Sequence, residues 1–386
     1  MDGMISLQYL AKLAKNFYIW FRIGKAQMNL NQKLRLGLTR FVVDAQEKEH
    51  PLRQLFWECT LRCNLKCRHC GSDCKVSDVH PDMPFDDFEK VLKLVKEVYD
   101  SHKVMIVISG GEPLMRSDIL DCCSRIRQLE FPWGMVSNGR LMTESMIKSL
   151  LAAGMRSATI SLDGLEDDHD WMRGVPGSFK TASEAIRILA GEPRIRFDAV
   201  TCVNSRNFFR LEELKEYLIS LGLKAWRIFT IFPVGRAAND PQLQITDRQY
   251  RELMDFIVAT RKEGRIHLSY ACEGFLGEYE GRVRDHCYTC QAGLSIASVR
   301  IDGSISGCTS IRGRFDQGNI YRDDFIDVWE NRFEPFRNRD WMHTGRCGEC
   351  KAWKWCRGNG MHLRDDEGNL ILCNFERINN GLEYEN

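Results

Sequence analysis

The stretch "WECTLRCNLKCRHCGSDC", residues 57–74, places five cysteines within eighteen residues. Their spacing runs Cys59-x3-Cys63-x3-Cys67-x2-Cys70-x3-Cys74. Five thiols are too many for one tetrahedral ion, and they do not form two CxxC pairs. Only Cys63, Cys67 and Cys70 satisfy C-x3-C-x2-C. A start at Cys59 meets Lys66 where the last cysteine would stand, and a start at Cys70 meets Ser77. Iron–sulfur clusters normally take four thiolates. Three leave one iron open to a small chelator, much as three ligands on catalytic zinc leave a place for water. On its own the triplet also fits a zinc knob, with Cys59 or Cys74 as fourth ligand.

The surrounding chain is that of an ordinary globular protein: 386 residues, 44% hydrophobic and 28% charged, with a formal net charge of +1. That balance gives no case for nucleic acid or an acidic partner. Sixteen cysteines in a chain of this size suit metal or cluster ligation in a reducing cytoplasm better than a disulfide scaffold. The longest early apolar run, "FYIWF" (17–21), is far short of a signal-peptide core or the roughly 20 residues of a spanning helix. Residues 1–40 carry seven Lys or Arg against Asp2 alone, a balance of +6. Leu10, Leu13, Phe17, Trp20 and Phe21 recur there at helical spacing. Such a segment suits either an anionic membrane surface or a helix packed over the core.

From about 55 to 270, strand-like stretches alternate with helical patterns. The strands are "LFWE" (55–58), "VMIVIS" (104–109), "PWGMVS" (132–137), "SATISL" (157–162), "RFDAVTCV" (196–203) and "AWRIFTIF" (225–232). Between the first two, Phe85, Phe88, Val91, Leu92, Val95 and Tyr99 share one helix face. Asp118, Thr143 and Ser178 stand where N-caps belong. Six βα units in series predict an α/β fold with a parallel sheet, barrel-like or doubly wound, with its chemistry at the C-terminal strand ends. After about 280 glycine and cysteine rise, and "RIDGSISGCTS" predicts a hairpin around Asp302-Gly303. The expected organisation is an N-terminal segment 1–50, a core 51–280 and a separate cysteine-organised module 281–386.

The triplet, in a loop just after the first strand, resembles the radical S-adenosylmethionine (SAM) enzymes. Their open iron chelates SAM, and reductive cleavage yields a 5′-deoxyadenosyl radical that takes hydrogen from the substrate. The resemblance implies a partial (β/α)6 TIM-type barrel and a [4Fe–4S] cluster on Cys63, Cys67 and Cys70. His69 departs mildly from a position that is often aromatic. "SGGEPLMR" (109–116) matches the segment that meets the SAM amino group, which carries over to Gly110, Gly111, Glu112 and Pro113. "SNG" (137–139) ends the third strand and brings Asn138. "SLDG" (161–164) carries Ser161 and Asp163 over to the ribose, Arg173 is the candidate for the SAM carboxylate, and "FPVG" (232–235), with Pro233, resembles the adenine lining. Each of these motifs is weak alone. In this order at strand ends they leave little room for a zinc-only site.

Cys347-x2-Cys350-x5-Cys356, followed by Cys373, resembles the SPASM extension of radical SAM enzymes that modify peptides and proteins. There these four positions hold an auxiliary [4Fe–4S] cluster. Cys290 and Cys308 match the pair of a first auxiliary site, with Cys287 as a third ligand. Gly360 stands where that site expects a further cysteine. One or two auxiliary clusters are therefore implied, with structural zinc as the alternative for the set in isolation. Cys59, Cys74, Cys122, Cys123, Cys202 and Cys272 read as packing residues. Thr309 after Cys308 argues against sulfatase oxidation, where an acidic residue follows. The opening stretch looks most like a subgroup found alongside a small lipoprotein. The implied partners are a peptide or protein substrate and a flavodoxin or ferredoxin reductant, with peripheral contact to the inner membrane face through the N-terminus. Two rival classes stay open: haem-precursor modification by a radical SAM enzyme, and a non-catalytic zinc or iron–sulfur module. No catalytic base is legible.

Overall fold

The computed structural model describes residues 28–75, 80–271, 273–311 and 313–383. The apolar positions Leu10 to Phe21 of the basic segment, and Cys272, lie outside the described residues. The first element, α1 (Leu30–Glu49), starts at a reciprocal cap. Asn29 Oδ1 accepts the Gln32 N–H at 2.9 Å, while Gln32 Oε1 accepts the Asn29 N–H at 3.0 Å. Alternating elements follow: β1 (Gln54–Glu58), α2 (Phe85–Val98), β2 (Met105–Ser109), α3 (Ile119–Gln128), β3 (Trp133–Ser137), α4 (Glu144–Ala152) and β4 (Met155–Ser161). Then come α5 (Glu166–Arg173), α6 (Ser178–Ala190), β5 (Arg196–Val203), α7 (Leu211–Ser220), β6 (Ala225–Thr230), α8 (Asp247–Glu263) and β7 (His267–Tyr270). The C-terminal part holds β8 (Ile296–Val299), β9 (Ser304–Ser306), β10 (Gly318–Asn319), α9 (Phe325–Asn331), α10 (Glu334–Arg337), α11 (Trp353–Cys356) and α12 (Asn374–Glu383).

All strands among the described residues belong to one sheet, in the order β10-β9-β8-β1-β2-β3-β4-β5-β6-β7. From β1 to β7 every pairing is parallel. The sheet ends at β7 and β10 without closing, so this is a partial barrel, as the resemblance implies. The six expected strands are present. The seventh, "HLSY", is short and lacks an apolar run, and only its pairing with β6 identifies it.

Strands β2 and β3 are buried on both faces and read as apolar runs, whereas β4 to β6 alternate buried positions with half-buried or exposed ones. Trp57 of β1 stacks on Phe88 of α2 (centroids 4.8 Å apart, planes within 5°). Phe85, Phe88, Val91, Leu92 and Val95 are the buried face of α2, as their spacing predicts. Of the expected caps, Thr143 Oγ1 accepts the Met146 N–H at 3.2 Å. Asp118 instead turns to Arg116, at 2.7 and 2.9 Å, and Gly177 takes the cap position before Ser178.

The C-terminal part does not stand apart as a separate layer. Its hairpin forms around Asp302-Gly303 as expected, but β8 pairs in parallel with β1 and continues the core sheet. Nor is it coreless. Phe325, Val328, Trp329, Phe333, Phe336 and Met342 are buried in a contiguous cluster. α12 closes back on α8 through Arg377 Nε, which donates to Asp247 at 2.9 Å. No helix among the described residues is long and apolar enough to cross a membrane.

Candidate active site at the barrel mouth

The C-terminal ends of β1 to β4 surround a cavity of about 260 Å³. Cys63, Cys67, Cys70, Gly110, Gly111, Asn138, Ser161 and Arg173 all line it, so residues spread over more than a hundred positions meet at one place. The loop after β1 is held by backbone bonds. Cys63 N–H donates to Lys75 O at 2.8 Å, Lys66 N–H to Arg173 O at 3.0 Å, and Cys70 N–H to Cys67 O at 3.3 Å.

The two glycines after β2 let that loop lie directly on the sheet. Gly111 N–H donates to Thr60 O at 2.7 Å, and Glu112 N–H to Arg62 O at 2.9 Å. A Cβ on Gly110 would fall 2.2 Å from Thr60 O, and one on Gly111 would fall 2.3 Å from Arg62 O. Pro113 opens a single 3-10 turn. The Glu112 carboxylate is buried and spent internally. It accepts the Asn138 N–H (2.8 Å), the Ser137 hydroxyl (2.9 Å) and the Leu114 N–H (3.3 Å). Burial raises its pKa to about 7 against these bonds. Its role here is to pin the ends of β2 and β3 together.

Donors converge on the sulfurs. Asn138 Nδ2 lies 3.9 Å from Cys63 Sγ and Arg173 Nη1 3.6 Å from Cys67 Sγ. The Cys74 N–H reaches Cys70 Sγ at 3.4 Å. Cys74 is more than packing, because its thiol also bonds Cys70. That bond is the main reason Cys70 is lowered while Cys74 is raised. Burial raises Cys63 to about 11. Three thiols in one cavity, with N–H groups aimed at them, fit a cluster held by three protein ligands with one iron left for a chelator.

Behind the triplet lies a buried charge pair. Asp163 Oδ2 and Arg173 Nε stand 2.6 Å apart, and Asp163 Oδ1 accepts the Cys202 N–H at 2.9 Å. Burial works against the Asp163 charge, yet Arg173, with His69 and His169, holds its carboxyl below the usual range. His69 and Cys202 present ligand atoms within 4.8 Å of each other and of Asp163. Arg173 already supplies the positive charge there. Cys202 was read as packing and lies in a cavity wall; β5 carries it there, which its own flanking residues do not reveal. Arg236 is a further residue the motifs missed. It donates to Asp73 (2.6 Å), Cys67 O (3.0 Å) and Cys74 O (2.6 Å), clamping the cysteine loop to the segment after β6. In that segment Phe232 and Val234 face the larger cavity, and Pro233 is not among its lining residues.

That larger cavity, about 550 Å³, runs from the cysteine loop to the C-terminal part. Its wall includes Glu58, Glu273, Thr309, His362, Arg364, Asp365 and Asp366. Glu273 Oε2 accepts Thr230 Oγ1–H at 2.7 Å and Thr230 N–H at 2.9 Å, and burial raises its pKa to about 7. Farther out, Cys347, Cys350, Cys356 and Cys373 line one cavity of about 410 Å³, a complete four-thiol set. Arg364 links the two cavities. Its Nη2 donates to Cys347 Sγ at 3.5 Å, and its other donors go to Gly358 O and Gly368 O.

The chain matches the family model of the radical SAM superfamily over residues 57–218 and that of an iron–sulfur cluster-binding domain, SPASM, over 290–351. It is 26% identical over 346 residues to an AdoMet-dependent heme synthase of Nitratidesulfovibrio vulgaris, covering 83% of this chain and 91% of that protein. It is 30% identical over 323 residues to the mycofactocin maturase MftC of Mycolicibacterium smegmatis, covering 80% and 77%. Among solved structures it is similar to anSMEcpe with bound AdoMet and the Cp18Cys peptide, with a TM-score of 0.66, 19% identity and coverage of 86% and 96%. The chain therefore belongs to the radical SAM superfamily with the SPASM extension, and it is an enzyme of [4Fe–4S] cluster, SAM and auxiliary iron–sulfur chemistry.

Proposed function

We propose that the substrate is a peptide segment entering the cavity between the barrel mouth and the C-terminal part. When bound, the cluster and SAM supply a 5′-deoxyadenosyl radical that abstracts hydrogen. The chain's own residues then have to hold the substrate beside it and keep water out. The charge of the cavity wall carries this reading. Glu58, Asp365 and Asp366 face it, with Glu273 about half protonated at neutral pH, against one guanidinium, Arg364, whose donors are engaged by Gly358 O, Gly368 O and Cys347 Sγ. Burial lowers His69 and His362 to about 4, so neither adds positive charge at neutral pH. A haem precursor bearing several carboxylates meets repulsion there, while a neutral or basic peptide does not. The peptide bound to anSMEcpe supports the same reading.

Haem-precursor modification is the second reading, favoured by the similarity to heme synthases across most of both chains. Titrating the anaerobic enzyme with iron-coproporphyrin III decides between them. We expect no stoichiometric Soret shift, and a tight 1:1 shift would overturn the peptide reading. Flavodoxin or ferredoxin is the proposed reductant, and a lipid surface the proposed docking partner. Leu30, Leu34, Leu38 and Phe41 form an apolar stripe on α1, each 59–76% exposed, at the end of the basic segment. Replacing Leu34, Leu38 and Phe41 by Glu should abolish sedimentation with anionic vesicles; unchanged sedimentation would remove the lipid proposal.

A further inference from the structure

The C-terminal cysteines fall into one set that converges and one that does not. Cys347, Cys350, Cys356 and Cys373 share a cavity. The upstream set is broken at two points. First, a Cβ on Gly360 would lie 2.7 Å from His362 Cε1, 3.0 Å from His362 Nδ1 and 3.1 Å from the Tyr288 hydroxyl oxygen. The space a thiol would enter there is already occupied by an imidazole and a phenol, and the imidazole is braced by Phe232, with ring centroids 5.0 Å apart. Second, Cys287 borders a different cavity, together with Leu38, Thr39 and Val42 of α1, and its thiol bonds Thr39.

What remains is Cys290 with Cys308 close by, and Cys290 already has protein partners. Arg339 lies directly against it. Arg339 is fixed in place by three carbonyls: Cys290 O at 3.2 Å, Asn359 O at 3.1 Å and Phe336 O at 3.1 Å. A buried guanidinium held by backbone beside Cys290 already places a positive charge at this site. Two thiols fall short of the four that a [4Fe–4S] cluster takes.

We propose that this enzyme carries a single auxiliary cluster, on Cys347, Cys350, Cys356 and Cys373, and that its first auxiliary site is closed, with His362 and Tyr288 filling the place of the missing cysteine and Arg339 bound to the Cys290 carbonyl. The inference rests on the family's cluster chemistry and is independent of which substrate is modified.

The test counts iron and sulfide in the anaerobically reconstituted full chain. Wild type should hold about eight irons, and the variant with Cys63, Cys67 and Cys70 all changed to Ala about four. C290A/C308A should still hold about eight, and C347A/C350A about four. Twelve irons in wild type would overturn the proposal, as would a loss of four confined to C290A/C308A. Because that double variant can fail to fold, a second measurement uses the triple Cys63/Cys67/Cys70 variant. After reduction with dithionite its electron paramagnetic resonance signal should integrate to one spin per chain, and two interacting spins would overturn the proposal. If the family reading itself failed, the triple variant would instead keep all of the wild-type iron.

Discussion

Replacing Gly110 by Ala tests whether the cysteine loop is held against the sheet as described. The new Cβ would meet Thr60 O at 2.2 Å, Thr60 N at 3.1 Å and Thr60 C at 3.2 Å, all backbone atoms that no rotamer change can move. The residue also sits at φ +140°, where L side chains are rarely found. Strained backbone of this kind costs about 1–3 kcal/mol, and overpacking adds about 1–3 kcal/mol, so the sum is about 2–6 kcal/mol. Gly264 is the control. Its φ is +76° and nothing lies within 4 Å of its Cβ, so Gly264→Ala bears only the left-handed penalty of about 1–2 kcal/mol. Relief in Gly110→Ala requires Thr60 to Arg62 to lift, which displaces Cys63 from its bond to Lys75 O. Thermal melts under anaerobic conditions, with iron counted per chain, read both effects. Gly110→Ala should melt lower than Gly264→Ala and lose more than half of the iron bound by Cys63, Cys67 and Cys70, whereas Gly264→Ala keeps it. Equal melting points with full iron in both would refute the close approach.

Three further outcomes follow from the same geometry. Glu273 has a folded pKa near 7 against an ordinary 4.5, so the folded state holds its proton more tightly; stability is then greatest at low pH and falls as pH rises through 7, by up to about 3 kcal/mol. Glu273→Gln should flatten the thermal midpoint between about pH 5 and 8 relative to wild type. Arg364→Met removes a charged donor 3.5 Å from Cys347 Sγ and should move the auxiliary potential negative by some tens of millivolts, about 1 kcal/mol for one electron, with Arg364→Lys restoring part of it in a spectroelectrochemical titration. Asp163→Asn leaves the Arg173 charge buried without its carboxylate. It should destabilise the fold by about 3–5 kcal/mol and abolish SAM binding measured by calorimetry, while Asp163→Glu should recover part of both.

Much of the site was legible because its parts are local. Cys63, Cys67 and Cys70 lie on one loop, and the Gly-Gly-Glu and Ser-Leu-Asp-Gly segments each mark a strand end that the apolar runs had already located. What stayed hidden depends on which segments the sheet brings side by side. β7 carries no apolar pattern of its own and is recognised by its neighbour β6. Cys202 reaches the site because β5 follows β4 in the sheet, and Arg236 because the segment after β6 folds back over Cys67 and Cys74. Gly360 could be read as a missing ligand. That His362, two residues on, turns into its place required the structure. The acidity of the large cavity was invisible for the same reason, since its four carboxylates come from three distant stretches of chain.

Arg173 shows how such a site is prepared before any ligand enters. A guanidinium has five N–H donors in a rigid fork. Nε stands 2.6 Å from Asp163 Oδ2 as an ion pair without a hydrogen bond, and one Nη1 hydrogen points to Cys67 Sγ at 3.6 Å. Among the described residues Nη2 makes no hydrogen bond, so the side expected to take the SAM carboxylate is unspent. Asp163 does not compete with that carboxylate. It fixes the Arg173 side chain from behind and offsets the cost of burying its charge, while Cys202 N–H and the Asp163 backbone contacts with His169 and Asn207 hold Asp163 itself. The cation is thus oriented between the thiolate of Cys67 and the place of an incoming carboxylate by residues on β4, α5 and β5. A lysine could carry the charge but not the fork, so Arg173→Lys should keep the fold and lose SAM affinity by at least tenfold. Unchanged SAM affinity in that variant would mean that the carboxylate is held elsewhere.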